Sequence, residues 1–131
     1  ANQLYRYGYN VGMSFQIIDD ILDFTASPEE LGKPTGSDLS QGNITLPTLL
    51  AMKDPNFLHE LIEVFKYEKE KNEVDIHNLL HLLLDTDAIE ESYQLSNLYL
   101  QKALQSIKTL ENNKAKRTLQ TIANIIGKRR S

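Results

Sequence analysis

Three aspartates fall within one stretch of the chain, Phe15-Gln16-Ile17-Ile18-Asp19-Asp20-Ile21-Leu22-Asp23-Phe24. On a helix turning about 100° per residue, Asp19 and Asp23 lie about 40° apart and Asp20 about 60° beyond Asp23. The carboxylates then share one arc of about 100°, and Ile17, Ile18, Ile21 and Leu22 take the opposite side. Carboxylates this close repel one another unless they are well solvated or something positive sits among them. An all-oxygen set without His or Cys suits a hard cation. Mg2+ takes one or two carboxylates and completes its shell with water and substrate phosphates. The chemistry that fits is Mg2+ bridging these carboxylates to a diphosphate. The residues alone leave the plainer reading, a solvated acidic face, equally open. A calcium loop of the EF-hand type is excluded, because Asp20 is not followed by alternating oxygen ligands and a distant Glu.

These side chains need a helix to present them, and its row extends upstream through Gly8, Gly12 and Gln16. A glycine inside a helix costs about 1 kcal/mol relative to Ala. Two on this row predict close approach by a substrate or by another helix. The remaining periodicity is helical almost throughout, with no alternating strand pattern. The first helix is expected over residues 2–24, ending before Ser27-Pro28. A polar loop rich in Gly, Pro and Ser follows over 25–46. A short helix is expected over 48–52 after Pro47, and another begins at Asp54-Pro55-Asn56. The charged stretch 67–73 reads as a solvated helix end, and 75–84 as a leucine-rich helix. Asp87 and Glu90 read as a capping box opening a long helix to about Leu110. Asn112-Asn113 breaks it, a last helix covers 114–126, and Gly127 reads as its C-terminal cap. His77 and His81 have the i, i+4 spacing of metal ligands but no supporting acidic pattern, so with His59 they read as surface or packing histidines.

The chain has 131 residues, 40% of them hydrophobic, and a net charge of −4. It can bury a core, and it lacks the basic footprint of a nucleic-acid binder. Without cysteine it has no disulfide or thiolate site, which fits a cytoplasmic protein. No apolar run reaches membrane-spanning length, although proximity to a membrane stays open. The opening residues from Ala1 read as the middle of a helix, so the chain is expected to begin inside a larger protein.

The segments "FQIIDDILDF", "LGKPTGSDLSQGNITLPTLLA" and the terminal "KRRS" together resemble trans-prenyl diphosphate synthases. "TDAIEESYQLSNLYLQKA" and "IIGKRRS" are most similar to the catalytic subunit of the two-component heptaprenyl or hexaprenyl diphosphate synthases. The resemblance spans the whole chain as the C-terminal part of a longer enzyme. It implies an all-α isoprenoid synthase fold, here an incomplete helical bundle, with residues 1–24 as metal-binding helix, 25–46 as diphosphate loop and 47–131 as C-terminal helices and basic tail. By position, Asp19, Asp20 and Asp23 resemble the second aspartate-rich motif that holds Mg2+. Gln16 and Phe15 resemble the residues facing the substrate and its prenyl chain. Lys33 resembles the lysine reaching the allylic diphosphate. Asp38 resembles the acidic residue of the following loop, as a support for the metal ligands or a partner for Lys33. Arg129 and Arg130 resemble the tail over the isopentenyl diphosphate site. Asn43 stands where many members carry a lysine.

The activity implied is condensation of farnesyl diphosphate with isopentenyl diphosphate through Mg2+-assisted allylic ionisation. The product, heptaprenyl diphosphate, would serve the menaquinone side chain, and a small partner subunit (component I) is implied. The first aspartate-rich motif is absent from these residues. The chain alone is therefore expected to be inactive, and to self-associate through apolar faces left uncovered. Two other readings are a non-catalytic helical interaction module and a terpene cyclase relative.

Overall fold

The computed structural model describes residues 2–66 and 73–129. Among them every regular element is a helix: α1 Asn2–Thr25, α2 Pro28–Leu31, α3 Ser37–Ser40, α4 Leu46–Ala51, α5 Pro55–Phe65, α6 Glu73–Leu84, α7 Ala88–Ser106 and α8 Lys114–Gly127. The expected all-α class is what forms. The charged stretch 67–73 lies outside the described residues except for Glu73, which opens α6, and Arg130 also lies outside them.

The chain divides into two compact units. The first holds residues 1–19 and 93–131, the second residues 20–92. In the first, Tyr7, Leu100, Ala103, Ile107 and Ala123 form the core, from α1, α7, the turn after it and α8. Small polar groups let α1 and α7 close up: the fully buried Ser14 and Ser96 share a hydroxyl–hydroxyl hydrogen bond of 2.6 Å. The Tyr7 hydroxyl donates to the Leu119 carbonyl at 2.6 Å, fastening α8. In the second unit, Phe24, Leu39, Ala51, Phe57, Leu61, Leu79, Leu83 and Ala88 form the core. Asp54 caps α5 by accepting from the Asn56 and Phe57 N–H groups at 2.9 and 3.1 Å, with Pro55 in the first turn. Among side-chain caps of this kind the loss of one typically costs about 1 kcal/mol.

The α4 helix runs Leu46–Ala51 where 48–52 is expected and α6 begins at Glu73 where 75 is expected, and three further differences have a local physical reason. The segment 25–46 contains two single helical turns, α2 and α3. Ser27 and Glu30 form a reciprocal capping box at the start of α2 with Pro28 in the first turn, a local signal that the Gly and Pro content masked. The α7 helix ends at Ser106, not Leu110. The cause is Lys116, which is buried: its ammonium donates to the carbonyls of Lys108 and Leu110 and to Asn112 Oδ1 at 2.9, 3.0 and 3.0 Å. Those carbonyls lie past the helix end, and the ammonium stabilises the turn that exposes them. Gly127 is not a left-handed cap, for α8 includes it and the cap is Lys128 in right-handed geometry. A Cβ on Gly127 would stand 3.1 Å from Leu100 Cδ1, so packing against α7 explains the glycine.

Lys116→Ala should lower stability by about 2 kcal/mol, because it strips a charged donor from three acceptors in a part-buried turn. Chemical denaturation midpoints check this, and an unchanged midpoint would show that water replaces the ammonium without cost.

Candidate diphosphate and metal site

Asp23 sits at the end of α1 and is 1% exposed. The loop after it folds back onto this one residue. The Gly36 N–H donates to the Asp23 carbonyl at 2.7 Å, and the Asp38 N–H donates to Asp23 Oδ2 at 3.2 Å. Lys33 Nζ lies 3.2 Å from Asp23 Oδ1. The ammonium faces the buried Oδ1 as its charge partner. The glycines make the fold-back possible. Gly32 ends α2 at φ 71° and Gly36 precedes α3 at φ 77°, both left-handed. A Cβ on Gly36 would also meet Leu80 at 2.8 Å. Only glycine takes such conformations at little steric cost.

Burial pushes the Asp23 carboxyl above its ordinary value of 3.8. The Asp38 N–H opposes the rise, the Asp38 charge adds to it, and Lys33 opposes it. Desolvation is therefore only partly offset by the basic partner.

Asp19 lies in the other unit. Arg129 Nη2 donates to its Oδ1 at 2.6 Å, with side-chain exposures of 38% and 40% for the two residues. The same guanidinium covers the Phe15 ring, 4.6 Å from its centroid, as a cation–π contact. Its Nη1 is buried and has no hydrogen-bond acceptor. Arg129 follows the C-terminal cap of α8, and its own N–H donates to the Ile126 carbonyl.

The site residues read from the sequence thus fall into two local sets, Asp23 with Lys33 and Asp38, and Asp19 with Arg129 and Phe15. Gln16 is exposed and Asp20 is half-buried. Among the described residues no three His or acidic side chains gather closely enough to hold a metal. Asp38 joins the site through its backbone N–H, and an ion-pair partner of Lys33 is Asp23. Nothing lies within 4 Å of a Cβ built on Gly8 or Gly12, so the expected close approach along that row is not made by the described residues. The Asn43 amide donates to Gln41 Oε1 at 3.4 Å. His77 and His81 are exposed and pair with each other, Nε2 to Nε2, at 3.0 Å. The Phe15–Arg129 stack is a contact that no sequence pattern announced, since it joins residues that only the tertiary fold brings together.

A carboxyl raised by burial binds its proton more tightly folded than unfolded. From 3.8 upward the folded state holds more protons, so the Asp23 contribution to stability falls as pH rises through its folded value and stays lost above it. Asp23→Asn should flatten that limb, as read by urea midpoints between about pH 3.5 and 7. An unchanged slope would place the titration elsewhere.

The polyprenyl synthetase family profile matches residues 1–83. The chain is 49% identical, over 97% of its length, to heptaprenyl diphosphate synthase component 2 of Bacillus subtilis, and covers 36% of that protein. Against the component 2 of Geobacillus stearothermophilus the figures are 47%, 98% and 39%. The chain therefore spans less than two-fifths of the length of these relatives. Heptaprenyl diphosphate synthase of Staphylococcus aureus superposes with a TM-score of 0.91 at 37% identity, covering 99% of this chain and 40% of that one. A Caulobacter crescentus polyprenyl synthase, solved with calcium and isoprenyl diphosphate, gives 0.86 at 30% identity, covering 99% and 40%. The helical architecture and the profile match over residues 1–83 make this chain a member of the polyprenyl synthetase family.

Proposed function

We propose that these residues are the C-terminal share of a trans-polyprenyl diphosphate synthase, extending farnesyl diphosphate with isopentenyl diphosphate to a heptaprenyl product for menaquinone. The observation that carries this reading is Asp23. A buried carboxylate whose Oδ1 faces, at 3.2 Å, a lysine on a glycine-flanked loop is a cation position beside a movable phosphate ligand. The donor chemistry fits Mg2+, because Asp19, Asp20 and Asp23 offer hard oxygens only. The similarity to a structure holding calcium and an isoprenyl diphosphate supports the same pairing of ligand classes.

When bound, Mg2+ would neutralise charge on the departing diphosphate. The chain's own residues do the rest of the work assigned here. Lys33 releases Asp23 and meets the allylic diphosphate as a point charge. Its C–O bond breaks with the electron pair leaving on diphosphate, and the double bond of isopentenyl diphosphate attacks the allylic carbon. A proton then passes from the extended cation to the departed diphosphate, which leaves the new double bond. Phe15 and Gln16 face the reacting chain, and Arg129 and Arg130 meet the isopentenyl diphosphate. Holding these groups in place and keeping water out accounts for the protein's share of catalysis.

The names of the relatives as component 2 support a second, smaller subunit as partner. Without a first aspartate-rich motif the chain supplies one side of the metal clamp, so alone it is inactive. The site is assigned to the cytoplasm, within reach of a membrane into which the long product partitions. No described helix is long and apolar enough to cross a membrane.

Mg2+-dependent binding of inorganic diphosphate tests the reading. Asp19→Asn and Asp23→Asn should each weaken it by about tenfold or more, in line with loss of a ligand or its support. Binding that survives both substitutions would leave a helical interaction module as the better account. Leu4, Tyr5, Tyr9 and Phe15 expose between 44% and 76% of their surface on α1. Self-association through that face should appear in light scattering as a mass above the 15.0 kDa of one chain. A monodisperse monomer would overturn this.

A further inference from the structure

We infer that His77 and His81 form a two-imidazole chelate for a borderline divalent cation, Cu2+ or Ni2+, on the solvent face of α6. The pair shares no residue with the proposed diphosphate chemistry and stands or falls apart from it.

The helix fixes both rings. Ile76, Leu79 and Leu83 are buried on one side of α6, and Leu80 lies against Gly36. At about 100° per residue, positions 77 and 81 are about 40° apart and one turn from each other. Both histidines are exposed. Their Nε2 atoms are the meeting point, 3.0 Å apart. The ring planes cross at 80° with centroids 4.4 Å apart, so the rings meet at their edges and do not stack. A hydrogen bond between two ring nitrogens needs a proton on one of them. A metal ion takes the place of that proton and uses both lone pairs.

The spacing selects the ion. First-row metals bind imidazole nitrogen at about 2.0–2.1 Å, as zinc does. Two nitrogens 3.0 Å apart then subtend about 90–100° at the metal. A tetragonal Cu2+ or Ni2+ site wants about 90° between neighbouring ligands. Tetrahedral Zn2+ wants about 109°, which needs nitrogens about 3.3–3.4 Å apart. Hard Mg2+ prefers oxygen. Among the described residues no third His or acidic side chain gathers with the pair, so the other positions belong to water or to a small ligand. His77 also lines a cleft of about 380 Å³ with Thr35, Ser40 and Glu73, which leaves room for one. A metal across the two rings pins the turn of α6 that carries Leu80. Binding to the folded turn raises stability by linkage.

Calorimetric titration of the intact chain with Cu2+, Ni2+ and Mg2+ reads the site. One Cu2+ per chain should bind, more tightly than Ni2+, and Mg2+ at the same concentration should give no heat. Electron paramagnetic resonance of the Cu2+ form should show two equatorial nitrogens. His77→Asn and His81→Asn should each weaken Cu2+ binding by about tenfold or more and leave one nitrogen in the spectrum. His59→Asn, an exposed histidine on α5, should leave both readings unchanged. Ni2+ should raise the urea midpoint of the unsubstituted protein and not that of the two α6 variants, and equal circular dichroism excludes misfolding as the cause. Cu2+ binding that survives both α6 substitutions, or that is lost with only one of them, overturns the chelate. So does a single equatorial nitrogen in the unsubstituted protein.

Discussion

A single carboxylate taken out of water organises the loop that follows α1. Asp23 is 1% exposed, and its backbone and side chain receive Gly36, Asp38 and Lys33 in turn. Leaving a charge buried is expensive unless donors surround it. The left-handed glycines at 32 and 36 are the conformations that bring those donors round. The compensation is incomplete, since the carboxyl remains raised. A fold selected for stability alone would place an asparagine or an apolar residue here. A buried carboxyl kept beside a lysine on a glycine-flanked loop accords with the proposed function.

The second cation depends on a constraint far from it in sequence. The buried Lys116 ammonium ties the carbonyls after α7 and fixes where α8 starts, with Asn113 accepting from the Lys116 N–H as N-cap. Tyr7 then holds the middle of α8 through Leu119, and Gly127 lets its end pack against Leu100. Arg129 emerges two residues later. The position of a guanidinium over Phe15 is thus set by a capping lysine, a tyrosine hydroxyl and a missing Cβ, each ordinary by itself.

Periodicity made the helices legible, whereas the segregation of Asp19, Asp20 and Asp23 from the isoleucines did not announce that Asp23 is buried. Asp54-Pro55 and Asn113 announced two helix starts correctly because capping is local chemistry. Lys116 was not legible. A lysine in the first turn of an amphipathic helix reads as solvated, and only tertiary placement of three acceptors explains its burial. Gly127 misled for a related reason: glycine after a helical run signals a cap, yet here the absence of a side chain serves packing. Within the site, Lys33 could be picked out by its glycine-flanked setting. That Asp38 contributes a backbone N–H could not, because the loop geometry delivering it rests on Leu80 packing against Gly36.

The two resident cations are not equivalent, and the difference follows from water. Asp19 and Arg129 each keep more than a third of their surface exposed, so separating them lets solvent take up both charges. Asp23 has no such recourse. Its side chain is 2% exposed while Lys33 is 43% exposed, so withdrawing Lys33 leaves a buried carboxylate with only the Asp38 N–H on its side chain. Breaking a pair by removing one partner is costly in proportion to the burial of the charge left behind. Two acids one helical turn apart on α1 each hold a basic partner, and burial alone makes the pair at Asp23 the costlier one to break.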